Sequence, residues 1–175
     1  ELEHPGKFLP AAERYQLIGD IDRWVVATTC RVLASHSSIM ERRAARFTIN
    51  LSGQSVTNLA FADFIAAEVR GAGVPPDLIC FELTETAALA NLEKANAFME
   101  RVRELGCAFA LDDFGTGTSS LAHLKSLPVT MLKIDGSFVR DALTNPRSDS
   151  LVKAVAQLAR AMGIVTVAEF VETDE

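Results

Sequence analysis

The feature that most limits how this 175-residue chain can fold is a regular alternation of short apolar runs with amphipathic segments. The apolar runs are residues 46–51 (RFTINL), 78–83 (LICFEL), 108–111 (AFAL), 129–134 (VTMLKI) and 164–168 (IVTVA). Short blocks of Phe, Leu, Ile and Val bounded by turn residues read as strands covered on both faces. Helical segments stand between them. Residues 57–70 are closed by Gly71 and Gly73, 92–105 carry Ala95, Phe98, Met99 and Val102 on one side, and a short helix at 121–127 ends at Pro128. Asn145 and Pro146 form an N-cap with proline at the first helical position, and Gly163 stops the helix that follows. Ahead of the first strand, residues 1–9 are expected as a polar loop. Pro10 then starts a helical stretch, and 20–34 form a longer helix that 35–38 break. A unit spacing of about 20–35 residues suits βα repeats, hence a parallel sheet, either doubly wound or closed into a barrel. No internal repeat, low-complexity tract or linker interrupts the pattern, so residues 1–175 are expected to belong to one domain.

Asn50, Glu82, Asp112 with Asp113, Lys133 and Glu169 all fall at the C-terminal ends of these strands. In a parallel sheet those ends point the same way. A barrel would gather them around one mouth, whereas a doubly wound sheet would spread them along an edge. The adjacent carboxylates Asp112 and Asp113 repel each other, which is tolerable if one faces solvent or if a cation neutralises them. Gly115, Thr116 and Gly117 follow, but Ser120 stands where a dinucleotide-binding turn has its third glycine, and the two carboxylates would meet the pyrophosphate. The stretch 114–120 reads instead as a loop with glycine hinges beside the strand ends.

Carboxylates and an amide carbonyl are hard oxygen donors suited to Mg²⁺ or Mn²⁺. Zinc is disfavoured because His4, His36 and His123 have no paired spacing and none lies at a strand end. Two divalent ions about 3.5–4 Å apart would activate water and clamp a phosphodiester. Lys133 fits as a point charge beside the phosphate or the nucleophile, or as a structural ion pair with Asp112 or Glu169. Seventeen Lys and Arg against 23 Asp and Glu give a net charge of −6, which argues against polymeric nucleic acid as a partner. A phosphate-bearing substrate would need metal ions or a local basic group. Cys30, Cys80 and Cys107 are widely spaced in apolar surroundings and read as buried free thiols of a reducing compartment. No apolar run reaches the ~18 residues of a membrane span. A soluble cytoplasmic domain without direct membrane contact is expected, though its parent protein could be anchored. On chemistry alone, a metal-dependent lyase or racemase of the enolase type also fits, since those barrels set carboxylates and a lysine on successive strand ends.

With these residues in place, the chain resembles the EAL-domain family of cyclic di-GMP phosphodiesterases. The matching words are PGKFLPAAE, NLS at Asn50, FELTET at Glu82, LDDFGTGTSSL at Asp112, LPVTMLKIDGSFV at Lys133 and VAEFVET at Glu169, in family order over nearly the whole chain. The resemblance implies a modified (β/α)₈ TIM-type barrel that hydrolyses cyclic di-GMP to linear pGpG with Mg²⁺ or Mn²⁺, two ions in all. Asn50, Glu82 and Asp112 then correspond to ligands of one metal and Asp113 to a ligand of the second. Lys133 would hold the catalytic water, and Glu169 would be a further ligand or the general base. Glu85 and Glu172 would lie just outside the ligands, Glu85 steadying the loop of Gly115 and Gly117. The same loop often contributes to a homodimer interface, and attached sensory or diguanylate-cyclase-like domains are expected in a longer signalling protein. By the match, the first two strands and the last lie outside this sequence, as does the family's naming Glu-Ala-Leu motif, whose glutamate is also a metal ligand. Phe170 and Thr118 depart from the usual glycine and aromatic. If the upstream glutamate is replaced, the expected alternative is a catalytically inactive cyclic di-GMP receptor or regulatory domain.

Overall fold

The computed structural model describes residues 3–43, 46–116 and 121–171. Five strands, β1 (Phe47–Asn50), β2 (Ile79–Thr84), β3 (Ala108–Phe114), β4 (Met131–Ile134) and β5 (Val165–Ala168), form one sheet. Neighbours in sequence are neighbours in the sheet, and every pair is parallel. A doubly wound sheet requires a reversal of strand order, and none occurs here. Successive strands added on one side, each by a crossover helix, make the arc of a barrel.

The helices are α1 (Pro5–Arg14), α2 (Ile18–Arg43), α3 (Leu59–Ala72), α4 (Glu85–Ala90), α5 (Leu92–Arg103), α6 (Leu121–Leu124), α7 (Gly136–Asp141) and α8 (Pro146–Ala161). Their ends follow local chemistry. Asn58, Asn91 and Asn145 accept backbone N–H groups of the first turns of α3, α5 and α8, and Gly73 ends α3 in the left-handed region at φ 64°. None of the described helices is long and apolar enough to cross a membrane.

The N-terminal region departs from expectation. Residues 5–9 are helical rather than a loop, because Pro5 pre-sets the first turn and the His4 ring accepts the Gly6 N–H. Residues 35–38 do not break α2. Ser35 donates its hydroxyl to the Val32 carbonyl, so the side chain is satisfied within the helix. The buried stripe of α2 is Ile18, Asp22, Val26, Cys30 and Leu33, while Trp24 is 66% exposed. The short helices α4 and α7 lack any apolar period long enough to read from sequence.

Alternation along the strands sorts the sheet into two faces. Ile49, Phe81, Leu83, Phe109, Leu111, Leu132 and Ile134 are buried against the helices. Phe61 of α3 stacks on Phe98 of α5 at 6.2 Å, and Phe98 meets Phe109 edge-on at 6.3 Å, which ties the helical layer to β3. Each such ring contributes roughly 2–3 kcal/mol by burial. On the opposite face Cys80, Ala108, Ala110 and Met131 make a small second cluster. This is the face a closed barrel turns inward.

Candidate active site

Register places the polar strand ends on one face. Asn50 pairs with Glu82, and Glu82 with Ala110. Ala110 pairs with Met131, which pairs with Val165. Partners across a parallel ladder share a face, and so do residues two apart along a strand. Asp112, Lys133 and Glu169 therefore rise from the face that carries Asn50 and Glu82, one or two steps above the Cys80–Met131 cluster.

Lys133 joins three of the strands. Its Nζ lies 2.7 Å from Glu169 Oε1, 2.8 Å from Asp112 Oδ1 and 3.4 Å from Glu82 Oε2. Burial by itself would lower its pKa. The hydrogen bonds to Asp112 and Glu169, with the charges of Asp112 and Glu82, outweigh that and hold the ammonium above its ordinary range. The lysine is thus the ion-pair partner of Asp112 and Glu169, standing among the strand ends.

Adjacent residues on a regular strand point to opposite faces, so Asp112 and Asp113 cannot both reach the mouth without a distortion. β3 supplies one. Its register with β4 shifts between Leu111 and Phe114, and Asp113 sits at φ 53°. Aspartate tolerates this left-handed conformation better than most residues, and its N–H donates to Asp112 Oδ1 at 3.0 Å. The result is a cluster in which carboxylate oxygens of Asp112, Asp113 and Glu169 lie within 4.8 Å of one another. Burial pushes the Asp113 pKa up, and Asp112, Glu169 and Asp135 push it further; Lys133 offsets only part.

Glu85, buried at the start of α4, accepts the Gly115 N–H at 3.3 Å and so holds the first residue of the loop after β3. Gly115 itself has φ 105°, and a side chain there would meet the Phe138 ring. Glycine is required at that position. Gly117, Thr118 and Glu172 lie outside the described residues.

Two groups escaped the sequence reading. Asp22 on α2 is 5% exposed and accepts from both the N–H (3.0 Å) and the hydroxyl (2.6 Å) of Ser52, which fixes the turn just after Asn50. An acidic residue on the buried stripe of α2 was the available signal. Asp135 caps α7 through Ser137, and that bond holds its carboxyl below the usual range. The cysteines contribute no nucleophile: burial pushes Cys30 and Cys80 up to about 11 and Cys107 to about 12.

The chain has relatives among known proteins. The family profile described as EAL domain matches residues 1–175. The chain is 39% identical over 171 residues to cyclic di-GMP phosphodiesterase PdeB of Shewanella oneidensis, covering 98% of this chain and 20% of that protein. It is 38% identical to cyclic di-GMP phosphodiesterase PdeF of Escherichia coli, covering all of this chain and 23% of the relative. These curated relatives are therefore four to five times as long as the chain. Among solved structures, the PaMucR phosphodiesterase in complex with c-di-GMP superposes with a TM-score of 0.87 at 32% identity, over 97% of this chain and 68% of that one. The FimX EAL domain of Xanthomonas citri in complex with c-diGMP gives 0.88 at 27% identity, over 99% and 68%.

Proposed function

The chain belongs to the EAL domain family, and from that premise we propose that it forms the catalytic part of a metal-dependent phosphodiesterase. Its substrate is cyclic di-GMP and its product linear pGpG. The observation that carries the reading is the convergence of Glu82, Asp112 and Glu169 on a single lysine, with Asp113 clustered beside Asp112 and Glu169. Four carboxylates against one ammonium leave an excess of negative charge; burial first, and then the charges of Asp112, Glu169 and Asp135, push the Asp113 pKa up. Every donor is a hard oxygen, so the site fits Mg²⁺ or Mn²⁺, and the adjacent Asp112 and Asp113 would let it hold two ions. Asn50, Glu82 and Asp112 would hold the first, and Asp113 the second, with Glu169 beside them. Bound metal would supply an acidified water and neutralise charge on the phosphoryl oxygens.

The chain's own groups do the rest. Lys133 remains protonated and orients Asp112, Glu169 and a water with its ammonium hydrogens. Glu169 accepts the proton of the attacking water. The water oxygen bonds to phosphorus, the P–O3′ bond breaks, and the leaving oxygen takes the proton that Glu169 accepted, by way of solvent water, to become the 3′-hydroxyl of pGpG. Glu85 positions the loop after β3 through the Gly115 N–H.

The domain so described is a cytoplasmic part of a longer signalling protein with sensory or diguanylate-cyclase-like domains, and the loop after Asp113 faces a second copy in a homodimer. Incubating the full-length protein with cyclic di-GMP and Mn²⁺, and following pGpG by chromatography, tests the reading. Folded protein that binds the nucleotide and releases no product would sink it in favour of a receptor. Proton exchange on a carboxylate substrate would favour the enolase-type reading instead.

A further inference from the structure

Phe170 follows Glu169 directly and adopts φ 52°, a left-handed backbone that is strained for a residue carrying a Cβ. The residue is 59% exposed, so core burial does not hold it there. Its contacts do. The ring lies against the bare Cα of Gly136, where a methyl group would overlap its Cδ2 and Cγ atoms. Arg140, one turn along α7, sets its guanidinium carbon 4.8 Å from the ring centroid. The same short helix reaches the opposite loop through Phe138, whose ring packs on Gly115. Helix α7 therefore packs on the loop that follows β3 and on the segment that carries Glu169 after β5.

We propose that Phe170 is a positioning residue: clamped on Gly136 and Arg140, it fixes the segment that presents the Glu169 carboxylate to Lys133. A glycine at 170 would adopt the same backbone without strain but also without restraint; here the side chain supplies the restraint. The inference rests on the phosphodiesterase reading only for its effect on turnover, since the clamp itself can be read without substrate.

The test uses the full-length protein in four variants: Phe170→Gly, Phe170→Leu, Gly136→Ala, and Gly136→Ala with Phe170→Gly. Hydrogen exchange of the Glu169 amide, which donates to the Ile134 carbonyl at 3.2 Å, reads the clamp. Turnover of cyclic di-GMP reads its consequence. Phe170→Gly is expected to speed Glu169 exchange and lower kcat about tenfold with KM held within about twofold, the size typical of groups that orient a ligand. Phe170→Leu should recover most of both. Gly136→Ala should be impaired, and adding Phe170→Gly should leave the pair no worse than Phe170→Gly alone, because the overlap is gone. Unchanged Glu169 exchange in Phe170→Gly overturns the proposal whatever the turnover. So do additive losses in the double variant, or a lowered Tm with kcat intact. If wild-type protein is folded and yields no pGpG, the phosphodiesterase reading fails, while the exchange experiment still decides the clamp.

Discussion

Lys133 Nζ stands 2.7 Å from Glu169 Oε1, so an ammonium on β4 meets a carboxylate that begins just past the end of β5. The same ammonium reaches back to β3 and β2 through Asp112 and Glu82. One side chain thereby ties three neighbouring strand ends and offsets part of the repulsion between their carboxylates.

Replacing Lys133 by Met should cost metal-free protein about 2–3 kcal/mol at neutral pH in urea denaturation, somewhat under the loss for a fully buried pair because the site is partly hydrated. The folded pKa of Lys133 lies above the ordinary 10.5. Its stabilising contribution is therefore complete below the unfolded value and is lost as pH rises through the folded one. The deficit of Lys133→Met should shrink with added Mn²⁺, which takes over the charge compensation. A variant as stable as wild type would show that the ion pairs contribute nothing.

Asp113→Asn separates stability from activity. The folded pKa of Asp113 is raised, so the group favours folding below its unfolded value near 3.8 and loses that contribution as pH rises through the folded value. Ionised Asp113 therefore opposes folding at pH 7. The variant should melt higher than wild type in the absence of metal at pH 7, with the difference gone near pH 3. Turnover should fall more than ~100-fold, since even outer-shell changes cost 10–100-fold. Calorimetry across pH, paired with the chromatographic assay, reads both.

Glu85→Ala frees the Gly115 N–H at the root of the loop. Mn²⁺ affinity, followed by electron paramagnetic resonance, is expected to drop about tenfold, and Glu85→Gln, which keeps an acceptor oxygen, should retain more of it. Equal losses in both variants would point to charge rather than positioning.

Asp22→Ala removes the acceptor from two donors of Ser52 at a buried position. Stability should fall by about 2–3 kcal/mol, as for an unmade hydrogen bond to a charged group, and Ser52→Ala should cost less because it deletes only one of the two bonds. Urea unfolding of both and of the double variant gives the coupling; strictly additive effects would exclude a shared interaction.

Much of the fold was legible because it is written in short-range patterns. The short apolar runs 78–83 and 108–111 bounded by turn residues, the Asn145 cap with Pro146 before α8, and Gly73 after α3 each specify local geometry with few competitors. The region before β1 was not legible. Two prolines each offered a helix start, and the His4 cap on the Gly6 N–H decided for Pro5. Trp24 and Val32 share apolar character with the residues that α2 buries, yet the helix turns Val26, Cys30 and Leu33 inward. Apolar identity says that a side chain gains by burial, not that its face of the helix will meet the sheet.

The sequence alone determined that Asn50, Glu82, Asp112, Lys133 and Glu169 lie at the ends of parallel strands, because short apolar runs set the strand lengths and the helices between them set a common direction. Only the tertiary structure decided that the strands run in unbroken order and that Lys133 sits between three carboxylates. It also decided that a bulge turns Asp113 toward the mouth beside Asp112. Those facts depend on inter-strand register and on contacts between residues twenty to fifty positions apart, such as Lys133 with Asp112 and Glu82. Local preference has no term for either. The left-handed backbone at Phe170 belongs to the same class, since it persists through a contact with Gly136 on another element.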